Sequence, residues 1–229
     1  MRFLLRVLAS RKMSERMDPG QKGFFQKRMF ADHLKRYEFT CKMCKGKRIL
    51  DIACGEGYGT RVLRRYAKEV VAVDIFDVDL KLLGFYKNVK FVRSDAIEFL
   101  QKNRKKFDVI ISFETVEHIP QYQKFIRLLH KNLKKGGLLI MSTPNRKFTD
   151  IFFGRKFNPY HVKEFYTEEL SKELTKIFVT EPVLYRQRPV EKKHIYISAI
   201  HAFMKNISEI IEDNPAITGI DNIFVVRNR

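Results

Sequence analysis

Residues 47–60 read KRILDIACGEGYGT, and the character of the chain changes twice within them. An apolar run from Ile49 to Ala53 carries a single acid, Asp51, and a segment of helix formers later extends to Lys68. Between the two, glycine occupies every second position: Gly55, Gly57 and Gly59. The pattern predicts a strand, a tight turn and a helix, and the glycines allow a sharp bend and a close approach by a ligand.

Three further apolar segments also end in an acid. They are residues 70–74, ending at Asp74; residues 89–96, with Asp95; and residues 107–114, ending at Glu114. A single acid after a strand is most often a helix N-cap. Four such ends in order indicate instead a ligand crevice along the carboxyl edge of one parallel sheet.

The turn differs from the dinucleotide-binding fingerprint, which is G-x-G-x-x-G with an acid about 20 residues further on. Here the spacing is G-x-G-x-G, and an acid, Asp51, precedes it. This motif resembles the first motif of class I S-adenosylmethionine-dependent methyltransferases, and together with the other strand ends the resemblance covers roughly residues 15–188. Within that family, the chain resembles a subgroup associated with small molecules and saccharides.

The resemblance implies an α/β fold. The expected architecture is a Rossmann-like doubly wound sheet of about seven strands, mostly parallel with the last antiparallel, with helices on both faces. The division expected is a basic N-terminal extension at 1–22 and a single methyltransferase domain at 23–229. Within the domain we expect a helical cap at 23–46, a core at 47–188, a helical insert at 189–214 and a final strand at 222–227.

The resemblance also assigns a cofactor and its binding residues. S-adenosylmethionine is expected as methyl donor and S-adenosylhomocysteine as product. Asp74 is expected to accept hydrogen bonds from the ribose hydroxyls, and Asp95 from the adenine amino group. Arg36 is a candidate partner for the cofactor carboxylate, with a surface arginine as the alternative. The remaining expected contacts are Asp51, Ala53, Gly55, Gly57, Ile75, Ala96 and Phe113.

Two histidines are candidates for a catalytic base, because imidazole titrates near neutral pH. His118 follows the fourth strand beside Glu117, and His161 lies in the segment 158–165. For each, the alternative is a histidine that hydrogen-bonds locally and holds a loop. Three more residues could line an acceptor pocket: Asn145, Arg146 and Tyr160.

The fourth strand ends in Phe113-Glu114-Thr115-Val116. This strand end lacks the Asn-Pro-Pro-Tyr type of tetrapeptide. The similar N-methyltransferases that act on nucleobases or on glutamine carry that tetrapeptide at this position. Its absence here favours a hydroxyl or carboxyl oxygen of a small molecule or saccharide as the methyl acceptor.

The net positive charge of the chain is compatible with several classes of substrate or binding partner. Lys and Arg number 45 against 26 Asp and Glu, which gives a net charge of +19 and favours acidic substrates. The alternatives are an RNA or protein methyltransferase and a non-catalytic scaffold that binds S-adenosylmethionine. The basic N-terminus could also contact a membrane surface, with a docked terminal helix as the plainer interpretation.

The cysteines indicate neither a disulfide framework nor a zinc site. The chain has three cysteines, and Cys41 and Cys44 form a lone C-x-x-C without a second pair. A reducing, cytoplasmic compartment is therefore expected, and no metal ion is predicted.

Overall fold

The computed structural model describes residues 24–78, 86–152, 158–195, 198 and 208–229. The predicted basic extension at 1–22 lies outside the described residues. None of the helices in the described ranges combines the length and apolar character needed to cross a bilayer.

Helices and strands alternate along most of the chain. The helices whose bounds lie within the described residues are α1 (Phe24–Cys44), α2 (Tyr58–Leu63), α3 (Ala96–Lys102), α4 (Tyr122–Asn132), α5 (Arg146–Phe152) and α6 (Thr167–Phe178). The strands are β1 (Arg48–Ile52), β2 (Glu69–Asp74), β3 (Val89–Arg93), β4 (Phe107–Phe113), β5 (Leu133–Pro144), β6 (Val183–Glu191), β7 (Ile210–Glu212) and β8 (Ile217–Arg227). Short 3₁₀ turns lie at Val116–His118 and Lys192–His194.

The eight strands form one sheet in the order β3-β2-β1-β4-β5-β8-β6-β7. Neighbours from β3 to β5 are parallel, whereas β8 is antiparallel to both β5 and β6. This confirms the predicted mostly parallel α/β sheet with an antiparallel last strand. The sheet has one strand more than the seven expected, because β7 pairs with the outer edge of β6.

The helical insert expected at 189–214 is wrong at both of its described ends. Strand β6 continues to Glu191, a 3₁₀ turn follows, and residues Ile210–Glu212 are β7 rather than helix. The reason is the partner strand: β8 begins at Ile217, five residues before the predicted start, and pairs with Glu191. Ladder hydrogen bonds along this length outweigh the local helix propensity.

Both faces of the central strands are buried, which explains their continuous apolar runs. Leu50 and Ile52 of β1 pack in one core cluster with residues of α3, α4 and α6. Ile49 points the other way and packs with Tyr37 of α1 and Leu63 of α2. The sheet is therefore the middle layer of three, and its parallel strands bring their carboxyl ends to one edge.

Close packing fixes the helix that follows the glycine turn. A Cβ added to Gly59 of α2 would lie 2.0 Å from Cζ of Tyr37, whose ring is 4% exposed. The lack of a side chain at Gly59 is therefore what lets α1 and α2 approach.

We expect Gly59→Ala to destabilise the protein, because the added methyl overlaps a ring that has no room to move. Overpacking of this kind costs about 1–3 kcal/mol, which in a domain of this size lowers Tm by roughly 2–4 °C per kcal/mol. Thermal unfolding followed by circular dichroism measures it.

The control is a double-mutant cycle with Tyr37→Ala. Once the ring is gone, Gly59→Ala should cost little or even stabilise α2, because alanine favours helix over glycine. An equal Tm loss in both backgrounds would contradict the proposed steric cause.

Candidate active site

The turn after β1 has an unusual backbone. Ala53, Gly55 and Gly57 have φ of 58°, 58° and 78°, in the left-handed region that favours glycine. The N–H of Gly55 donates to Oδ2 of Asp74 at 2.8 Å. A Cβ added to Gly55 would meet no atom within 4 Å. The backbone at Gly55 therefore borders open space that a ligand can enter.

Asp74 ends β2 next to this turn and is 8% exposed. Its Oδ1 accepts from the N–H of Phe76 at 3.0 Å. A carboxylate offers about four lone-pair sites, so the two backbone bonds leave capacity for a pair of hydroxyls. Ile75 and Phe76 are 56% and 50% exposed, which places an apolar surface beside the carboxylate.

Asp51 lies beneath the turn and is 1% exposed. It accepts hydrogen bonds from the Tyr37 hydroxyl at 3.1 Å and from Thr60 Oγ1 at 2.5 Å. Burial raises the pKa of this carboxyl to about 6, although both hydrogen bonds act in the opposite direction. Asp51 thus joins β1 to α1 and α2, a role that the sequence argument did not identify.

Asp95 and Ala96 lie at the start of α3. The Asp95 side chain accepts from the backbone N–H of Glu98 at 3.0 Å and caps the helix. Asp95 is exposed, so this cap does not exclude the predicted contact with adenine, which stays a prediction.

Arg36 is buried, at 2% exposure, which rules out the surface-arginine alternative. Its Nη1 donates to Glu114 and to Ser142 Oγ, the latter at 2.9 Å, and its Nη2 lies 3.4 Å from Oδ2 of Asp221. Phe113, which precedes Glu114, packs edge-on against Tyr37 with ring centroids 5.1 Å apart. Arg36 thus ties α1 to the ends of β4 and β5 and to β8.

The titratable groups around Arg36 have pKa values shifted in different directions. Burial opposes ionisation of Glu114, but Arg36 together with weaker contributions, among them the Ser142 hydrogen bond, outweighs it and lowers the pKa of that carboxyl. Burial raises the pKa of Asp221 to about 7, against the effect of Arg36. His33 is half-buried, and desolvation together with Arg36 lowers its pKa to about 3. Its Nδ1 lies 2.9 Å from the hydroxyl of Tyr58.

Glu117, His118 and His161 come together after β4. One carboxylate oxygen of Glu117 and one ring nitrogen of each histidine all lie within 4.8 Å of one another. The histidine rings are 4.9 Å apart and nearly perpendicular. Two distant segments meet here. The backbone carbonyl of Glu117 accepts from the N–H groups of Val162 at 2.9 Å and Lys163 at 3.0 Å, and His118 contacts the carbonyl of Tyr160, 42 positions further along the chain.

Glu117 is fully buried. Its Oε2 accepts from Thr143 Oγ1 at 3.0 Å, while its Oε1 has no hydrogen-bond partner among the described residues. Burial and the nearby Glu114 raise the pKa of this carboxyl well above its ordinary value.

Local hydrogen bonds fix the tautomers of the two histidines. His118 Nδ1 lies 3.1 Å from the carbonyl oxygen of Tyr160, which can only accept, so Nδ1 carries the proton and Nε2 is the basic nitrogen. His161 Nδ1 donates to Glu164 at 2.7 Å, and its Nε2 accepts from the Asn158 amide at 2.8 Å.

The three expected acceptor-pocket residues are not brought together by their side chains. Asn145 is buried and donates to Thr218 and Gly219 in β8. Arg146 lies 3.6 Å from Asp150 in the next turn of α5. Tyr160 contributes its carbonyl to His118, while its side chain is 44% exposed.

Comparison with known proteins identifies the fold's relatives. A family model described as a methyltransferase domain matches residues 25–187, which is more than half of the chain. A probable S-adenosylmethionine-dependent methyltransferase of Mycobacterium tuberculosis is 30% identical over 143 residues, covering 62% of this chain and 52% of the relative. A ubiquinone biosynthesis O-methyltransferase of Chelativorans sp. is 32% identical over 120 residues, covering 51% and 47%. The chain thus spans about half the length of these curated relatives.

Solved structures agree on the fold. A crystal structure from Thermotoga maritima, described as a SAM-dependent methyltransferase and possible histamine N-methyltransferase, aligns with a TM-score of 0.64. The alignment covers 90% of this chain and 93% of that one at 17% identity, so it supports the architecture alone. The family match over residues 25–187 shows that the chain belongs to the methyltransferase-domain family of class I S-adenosylmethionine-dependent enzymes.

Proposed function

We propose that this protein transfers a methyl group from S-adenosylmethionine to an oxygen atom of a small-molecule acceptor, at the cluster of Glu117, His118 and His161. The observation that carries the proposal is the tautomer of His118. The Tyr160 carbonyl keeps the proton on Nδ1, so a basic nitrogen lies at the carboxyl end of β4. This strand is the direct neighbour of β1, which leads into the glycine turn.

The residues around the turn fit the cofactor, which supplies an electrophilic methyl carbon on a sulfonium sulfur. Asp74 would hold the ribose hydroxyls, and the open space at Gly55 would admit the cofactor backbone. Ile75 and Phe76 would offer an apolar surface to the adenine ring. Arg36 already donates to Glu114 and Ser142, so we infer that it positions the end of β4 rather than binding the cofactor carboxylate directly.

The two histidines differ in how well they suit the role of general base. An acceptor hydroxyl must lose its proton as the new bond forms, and a general base near it typically contributes 10²–10⁴-fold to the rate. His161 has both ring nitrogens hydrogen-bonded within its own segment, to Glu164 and Asn158. We assign the base to His118, because it directly follows β4 and the Tyr160 carbonyl fixes its tautomer, and we assign a supporting role to His161.

Small-molecule acceptors are favoured by the names of the relatives. One of them is a ubiquinone biosynthesis O-methyltransferase. A nitrogen acceptor needs only to arrive unprotonated, whereas a hydroxyl gains from a positioned base. The net charge of +19 makes phosphorylated or carboxylated acceptors, including nucleotide-linked saccharides, the first to test.

The function is tested with S-adenosylmethionine labelled in its methyl group and four acceptor panels: hydroxylated aromatics and saccharides, carboxylic acids, amines, and RNA or protein. We expect labelled product from an oxygen panel. Treatment with alkali then separates methyl esters, which release methanol, from ethers, which do not. Labelling confined to amines would contradict the proposal, and RNA labelling that falls steeply with salt would favour the nucleic-acid alternative.

We expect Asp74→Ala to abolish cofactor binding, because the ribose hydroxyls lose a charged acceptor and the turn loses the bond to Gly55. Hydrogen bonds to a charged group contribute about 1.5–3 kcal/mol each, so losing two predicts roughly a hundredfold weaker binding or more. Calorimetric titration with S-adenosylmethionine and S-adenosylhomocysteine measures it.

Asp77→Ala is the matched control, because Asp77 is an exposed acid three residues later that pairs with Arg93 at 2.8 Å. It should bind the cofactor as the wild type does. Micromolar affinity retained in folded Asp74→Ala would contradict the assignment of Asp74.

We expect His118→Gln to bind S-adenosylmethionine normally but to turn over roughly 10²–10⁴-fold more slowly, because the base is lost while the loop is kept. Steady-state kinetics with the best oxygen acceptor, together with the calorimetric Kd, separate the two effects. The matched control is His130→Gln in α4, where the ring packs on Phe178, and it should leave kcat unchanged. Unaltered turnover in His118→Gln would remove His118 from the mechanism.

A further inference from the structure

The cluster after β4 has the composition of a metal site, which the sequence argument did not consider because it weighed only the cysteines. Two imidazole nitrogens and one carboxylate oxygen lie within 4.8 Å of one another in Glu117, His118 and His161. This donor set is the one that Zn²⁺ uses in catalytic sites with an open position, and that other divalent transition metals also accept.

The surroundings of the two histidines add a second, independent observation. A histidine that binds a metal usually donates its other ring N–H to a carboxylate or a backbone carbonyl. Here His118 Nδ1 donates to the carbonyl of Tyr160, and His161 Nδ1 donates to the carboxylate of Glu164. Both rings are thus held in the tautomer with the proton on Nδ1 and the lone pair on Nε2, the nitrogen that would bind the ion. Binding at His161 would displace the amide of Asn158, which now lies 2.8 Å from Nε2.

Glu117 provides a third observation. Its carboxyl is fully buried, and Oε1 has no hydrogen-bond partner among the described residues. A buried polar atom without a partner is costly, and a cation would give it one. The Thr143 hydroxyl, 3.0 Å from Oε2, already holds the carboxyl in place. The other nearby acid, Glu114, is occupied by Arg36 and Ser142.

We propose that Glu117, His118 and His161 bind one divalent transition-metal ion. Bonds of about 2.0–2.2 Å require the three ligand atoms to move inward slightly from their present separation of up to 4.8 Å, which side-chain rotation can supply. Three protein ligands leave at least one coordination position for an acceptor oxygen, and this part of the proposal rests on the proposed function. In the metal-bound form His118 would be a ligand and no longer the base, and the ion would lower the pKa of a bound acceptor hydroxyl so that its proton passes to solvent.

The test uses Co²⁺ as the probe, because its visible absorption reports nitrogen and oxygen ligands without any enzyme assay. The purified chain is treated with a chelator, dialysed and titrated with CoCl₂ in the absence of S-adenosylmethionine and acceptor. We expect one ion per chain by both absorption and calorimetry. Glu117→Gln, which keeps the side-chain shape, and His161→Ala should each weaken binding by roughly a hundredfold or more, and Glu164→Gln by roughly 10–100-fold.

His194→Gln is the matched control, because His194 is an exposed histidine in the 3₁₀ turn after β6, and it should bind as the wild type does. No stoichiometric binding by the folded wild type, or undiminished binding in both ligand variants, would overturn the metal site. Because the titration involves no methyl transfer, such a failure would leave oxygen methylation standing. Conversely, a failed acceptor screen would leave a measured metal site intact.

Discussion

The buried guanidinium of Arg36 is the interaction on which the arrangement of the site depends. It lies on α1 and donates to the acid after β4, to Ser142 of β5 and to Asp221 of β8, so residues 185 positions apart share one charge. Replacing such a group is costly because it leaves acids buried without compensation. Helix α1 is therefore fixed to the carboxyl edge of the sheet by ion pairs and hydrogen bonds as well as by packing.

A second constraint is steric, and it acts on the glycine turn. Tyr37 lies one residue after Arg36, fills the space that a side chain on Gly59 would need, and donates to the buried Asp51. The same helix thus positions both the end of β4 and the turn after β1. The strained backbone at Ala53, with φ of 58°, persists because hydrogen bonds on both sides hold it. Because the turn is held in one conformation, the backbone of Gly55 borders open space beside Asp74. A loosely packed glycine loop would not fix this arrangement.

The sequence predicted the fold where the signal was local. The apolar segments that end in acids predicted the parallel half of the sheet. The glycine turn at 55–59 carried the resemblance to methyltransferases. The prediction failed at 189–214, where the pairing of β6 with β8 and of β7 with β6 replaced a helix by strands at the two described ends. Asp221 could not have been identified, because nothing in its own strand marks a residue that meets Arg36. Glu114 carried a usable signal, an acid directly after a buried strand, yet its partner was visible only in three dimensions.

The two acids that follow β4 illustrate why position matters more than residue type. Glu114 and Glu117 are three residues apart. The Glu114 side chain is 18% exposed and its pKa is lowered with the help of Arg36, whereas Glu117 is fully buried and burial raises its pKa. Environments that separate neighbouring titratable groups in this way are typical of functional sites. Glu114 uses its charge in the structural ion pair with Arg36. Glu117 keeps an oxygen without a partner next to two histidines, so the chemistry of the site must be sought on the side of Glu117.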